Sequence, residues 1–94
     1  MTATFEKIEK EKISVLKFPD KEVLLESDKI AERLNDLNRA LSLGNLEKAK
    51  IKIYFEDDTA QRMVETTVWG ITDKRVILKQ GVVIPINRVH AIKL

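Results

Sequence analysis

The chain contains no cysteine, which removes disulfide staples and thiolate metal sites and leaves nothing that demands an oxidising compartment. It has a single histidine, His90, so a transition-metal site would have to be built from carboxylates, and neither a metal nor a cofactor is expected. No apolar run approaches membrane-spanning length, and the opening MTATFEKIEKEK intersperses charges where a signal peptide needs an apolar stretch. A cytoplasmic protein with no membrane partner is the expectation. Internal repeats and linkers are also missing. Charge of one sign is not in excess either, because a net charge of +2 is too mild to imply nucleic acid by itself.

What is present suits one small folded unit. Ninety-four residues, 44% of them apolar and 34% charged, fall within the size of one domain spanning 1–94 and away from the regime of disorder. After Leu46 there are nine basic and six acidic residues, against eight and nine before it, so the slight positive excess sits in the second half.

Residues 1–12 read as a polar terminus free to fray. The stretch ISVLKFPDKEVLLES, 13–26 and its following serine, reads as a hairpin turning at Pro19-Asp20. Ser27 is a good N-cap residue, and Ile30, Leu34, Leu37 and Leu41 recur at helical spacing over 27–43. That stripe is expected to dock, leaving Glu32, Arg33, Asp36 and Arg39 in solvent. Gly44-Asn45 should close the helix by taking the left-handed conformation.

From Lys48 the period switches to two. Ile51, Ile53 and Phe55 alternate with Lys50, Lys52 and Tyr54, and Glu56-Asp57-Asp58 marks a turn. Arg62 to Thr72 reads as one long strand bent at Gly70. Tight turns at Asp73-Lys74, Gln80-Gly81 and Asn87-Arg88 then separate three more short strands. The fold class predicted is mainly β (α+β): a hairpin and one amphipathic helix, then a five-stranded antiparallel barrel over 48–94. Its core would hold Ile51, Ile53, Phe55, Val64, Val68, Val76, Leu78, Ile84 and Ile86.

A helix followed by five bent antiparallel strands, with VILK, a tight turn and INRVHAI near the end, resembles the Sm-like barrel superfamily, specifically the Hfq and Rho-inhibitor families. Asp73 matches the aspartate that precedes the third strand in Hfq, and His90, Ala91 and Ile92 match the end of its last turn. Thr72 and Arg75 stand in place of the flanking phenylalanines, and Arg88 and Val89 replace a tyrosine and a lysine. The resemblance therefore implies the barrel without its usual base-stacking aromatics.

Five residues are candidates for contact with RNA or a protein partner: Lys74, Arg75, Lys79, Arg88 and His90, the basic side chains at strand ends and turns. Trp69 reads as a partly buried packing residue. Thr66 and Thr67 have no general base beside them in the sequence, so no enzyme is expected. The function predicted is a small non-enzymatic binding module of Sm-like type contacting RNA or an RNA-handling protein, or else a protein-interaction or structural module with no nucleic-acid role. Pro85 falls within the fourth strand and lacks an N–H, which predicts a monomer or small dimer in place of a ring.

Overall fold

The computed structural model describes residues 4–94, and positions 1–3 of the segment expected to fray lie outside the described residues. One long helix, α1 (Ser27–Glu47), precedes most of seven strands: β1 (Glu6–Lys7), β2 (Ile51–Glu56), β3 (Gln61–Thr66), β4 (Val68–Ile71), β5 (Arg75–Leu78), β6 (Val83–Pro85) and β7 (Val89–Lys93). They form a four-stranded sheet in the order β1-β3-β2-β7 and a three-stranded sheet in the order β4-β5-β6. No described helix is long and apolar enough to cross a membrane.

The strand pattern expected over 48–94 is present, but its hydrogen bonding does not close into one barrel. The long second strand breaks at Thr67, whose carbonyl accepts the Lys79 N–H and whose hydroxyl reaches the Lys48 carbonyl. Pairing therefore passes from β2 to β5 at that residue. The bend lies at Thr67 and not at Gly70. Between Val68 and Gly70 the register slips, leaving Trp69 as the extra residue of a bulge and 53% exposed, so it is no packing residue. All the core residues expected are buried except Ile86, which packs at the edge of that cluster.

Residues 13–26 form no hairpin. A 3-10 helix over Lys10–Val15 plugs Ile13 into the core, and the following strap gives its backbone to distant elements. The Lys17 carbonyl accepts the Asp58 N–H, the Asp20 and Lys21 carbonyls accept side-chain N–H groups of Asn87 and Arg88, and the Val23 N–H donates to the Asn87 carbonyl. With those groups taken, the strap has little backbone left for pairing with itself. In the terminus expected to fray, β1 pairs in parallel with β3, Glu6 opposite Arg62 and Lys7 opposite Met63.

Helix α1 lies against β4 and β7. Its buried face is Arg33, Leu37, Ala40 and Gly44, rotated from the stripe expected, so Ile30 and Leu34 are exposed and Arg33 is not. Ser27 begins the helix as its first residue, with Glu26 preceding it and no side-chain cap. The helix also runs through Gly44-Asn45 to Glu47 and closes on Lys48, which adopts the left-handed conformation at φ 53°. Gly44 instead permits close approach, since a Cβ there would collide with the Val68 carbonyl oxygen.

Candidate functional site

The five candidate residues do not converge. Arg88 is buried, its Nε donating to the Glu56 carbonyl at 3.0 Å and its terminal nitrogens to the carbonyls of Lys21 and Asp57 at 2.7 and 3.2 Å. This guanidinium satisfies backbone oxygens and welds the strap to the β2 end, which leaves it no free donor face for a phosphate. Lys79 is exposed at the far end of β5, four residues from Arg75, a separation of roughly 13 Å along an extended strand. His90 lies on the other sheet, its Nε2 2.8 Å from Glu56 Oε1.

Lys74 and Arg75 do share a site. The turn that carries them is closed by Thr72, whose N–H donates to the Arg75 carbonyl at 2.9 Å while its hydroxyl oxygen accepts from the Arg75 N–H at 2.9 Å. The Ile86 N–H then donates to the Lys74 carbonyl at 2.9 Å, locking this turn to the one at Ile86–Arg88. Between the two turns and the strap lies a cleft of about 560 Å³. Phe18, Pro19, Pro85 and Ile86 supply its apolar lining, Asn87 a polar edge, and the Glu22–Arg33 pair one wall. Lys74 and Arg75 have no ion-pair partner among the described residues, although the exposed carboxylates of Asp20 and Asp73 also line the cleft.

Two carboxylates, half-buried Glu22 and buried Asp57, brace the surrounding frame. For Glu22, burial pushes the pKa up, but hydrogen bonds from Arg33 and the Leu24 N–H outweigh it and hold the group below its ordinary range. Asp57 behaves alike: burial opposes ionisation, and the Thr59 and Ala60 N–H groups with Arg62 Nε overcome it. The Glu56-Asp57-Asp58 turn read from the sequence is therefore an Asp57-centred knot. No group of three or more metal-ligating side chains occurs among the described residues.

A second assembly escaped the sequence reading. Phe5 packs edge-on against Tyr54 at 5.2 Å and His90 at 5.4 Å between ring centroids, on the outer face of the four-stranded sheet. The only local signal was Tyr54 on the wet face of its strand; its neighbours come from the opposite ends of the chain. No family model, curated protein or solved structure matches the chain.

Proposed function

We propose that this chain is a small non-enzymatic binding module of Sm-like type that contacts single-stranded RNA through the cleft between its two turns. The observation that carries this reading is the locking of the Lys74 turn to the Ile86–Arg88 turn around one cleft, with Lys74 and Arg75 unpaired. These are the two places where the Sm-like resemblance puts contact residues. Strand order adds support: counting β3 and β4 as two halves of one strand broken at Thr67, the five strands after the helix follow the order β7-β2-β3/β4-β5-β6 across the two sheets. The fourth and fifth of them, β6 and β7, are the outermost strands of their sheets.

Among the described residues only two unpaired cations line this cleft, and Asp20 and Asp73 partly offset them, so binding is weak. Fluorescence anisotropy with a labelled single-stranded oligoribonucleotide tests it. If both cations meet phosphates, log K falls with log salt at a slope of about −1.4, from roughly 0.7 per phosphate on a single strand. A joint Lys74→Ala and Arg75→Ala variant should abolish that slope. Unchanged affinity in the variant would remove the cleft from the reading.

One observation favours a protein-interaction module instead. Ile30 and Leu34, one turn apart on α1, are exposed, and Leu25 just before the helix is more so. Affinity capture from the native cell that recovers a protein lost on Leu34→Asp substitution, with no RNA, would favour this second reading.

A further inference from the structure

The outer face of the four-stranded sheet is organised in rows. Tyr54 lies opposite Met63 on one side and Ala91 on the other, while one step along the strands Lys52 lies opposite Glu65 and Lys93. Lys52 and Lys93 are thus like charges set directly across a strand pair, an arrangement that destabilises a sheet unless an anion lies between them. Neither has an ion-pair partner among the described residues, whereas Glu65 is paired with Lys7 at 3.9 Å and Glu56 with Arg88 at 3.7 Å. The uncompensated charge in this row is positive.

Lys93, with Lys52 as its cross-strand neighbour, lines a hollow of about 430 Å³, within the usual range for small-molecule sites of roughly 300–1,000 Å³. Ala91 contributes the small side chain in the Tyr54 row, and Phe5, Tyr54 and His90 supply the rings around the hollow. His90 reaches it because the register between β2 and β7 slips at Tyr54/Phe55, making His90 the extra residue of a bulge. Its contact with Glu56 Oε1 and with the Phe5 ring then holds the imidazole on the outer face.

We infer that this hollow seats one nucleotide of single-stranded RNA, the base stacked among Phe5, Tyr54 and His90 and its phosphate between Lys52 and Lys93. The inference rests on the RNA reading for its ligand class but uses a different face and different residues from the Lys74–Arg75 cleft. Aromatic rings stack any base, so the site distinguishes little between sequences. Its two ingredients, rings and paired cations, each fail alone: the rings without lysines hold no phosphate, and the lysines without rings are ordinary surface charge.

Two-dimensional NMR of the intact chain titrated with hexauridylate, and separately with ribose 5-phosphate, tests the assignment. Amide shifts at Tyr54, His90, Ala91 and Lys93 are expected with hexauridylate and not with the base-free sugar phosphate. Tyr54→Leu should weaken binding at this face roughly 5- to 150-fold, the range for losing one stacked base. The exposed pair Lys52→Ala/Lys93→Ala should do so without changing the melting midpoint downward. If hexauridylate moves only Lys74 and Asn87, this site is overturned and the cleft stands; if it moves only the Tyr54 face, the cleft fails and this site stands. Silence at both faces, or equal shifts with ribose 5-phosphate, overturns the nucleotide site.

Discussion

The guanidinium of Arg33 meets the carboxylate of Glu22 in a two-bond fork, both bonds 2.7 Å, and its NH1 also donates to the Val89 carbonyl at 3.0 Å. One side chain on α1 thereby joins the strap, the helix and the first residue of β7. Arginine suits this role because its planar fork matches a carboxylate and keeps a donor to spare. Its Nε has no partner among the described residues, so the pair leaves one polar atom buried and unsatisfied.

Glu22→Ala should therefore destabilise the fold through the strap. It strands a buried cation, but the Glu22 side chain is 32% exposed, so water can enter and the loss is expected at about 1.5–3 kcal/mol, the range for a hydrogen bond to a charged group. Chemical denaturation of the variant measures this. A midpoint equal to wild type would mean that the fork contributes nothing net.

Acid should weaken the protein through the same group and through Asp57. Both carboxyls titrate lower in the folded chain than in the unfolded one, so the unfolded state binds more protons across that window. Their contribution is complete above about pH 5 and erodes as pH falls through the ordinary carboxylate range near pH 4 toward the depressed folded values. Urea midpoints measured from pH 6 to pH 3 should fall, and Asp57→Asn should flatten part of that fall.

Gly44→Ala sets two effects against each other. Alanine favours helix by up to about 1 kcal/mol over glycine, yet its Cβ would meet the backbone of β4, which cannot swing aside as a side chain does. The helix must back off, and a net loss of about 1–3 kcal/mol is expected. A stabilised variant would show that the helix is free to retreat.

Leu37 and Leu34 separate the buried helix face from the exposed one. Leu37 is fully buried, and its replacement by Ala should cost about 2–5 kcal/mol, whereas Leu34→Ala should stay within about 0.5 kcal/mol. Thermal melts of the two variants decide whether the helix is rotated as described. Equal losses would contradict it.

Pro85 bears on assembly. The Leu78 N–H donates to the Val82 carbonyl and the Ile86 N–H to the Lys74 carbonyl, so alternation places Arg75 and Pro85 at a non-hydrogen-bonded pair. The sheet loses no bond to the proline, but the missing N–H falls on the outer edge of β6, where a neighbouring subunit would need it. A monomer or small dimer is expected by light scattering at micromolar concentration. A mass five to seven times that of one chain would refute this.

Over 48–94 the amino-acid order by itself determined the approximate run of the strands and, Ile86 apart, which of the expected core side chains are buried. Ile51, Ile53 and Phe55, then Val76 and Leu78, alternate with polar neighbours, and a period of two has one solution when one face must leave water. The turns at Asp57, Asp73-Lys74 and Gln80-Gly81 were equally legible, because their chemistry is local. Tertiary structure decided everything that depends on a partner far along the chain. Arg33 looked like a surface residue until Glu22 and Val89 were brought to it, Gly44 looked like a helix stop until the β4 backbone lay against it, and 13–26 looked like a hairpin until Asn87, Arg88 and Asp58 claimed its backbone. The same holds for the candidate sites. Arg88 turned inward because carbonyls of Lys21, Glu56 and Asp57 surround it, and Phe5, Tyr54 and His90 met only because two sheet edges and a bulge set them on one face. Periodicity records which side of an element avoids water, and it carries no information about which distant groups will compete for a donor once the chain is folded.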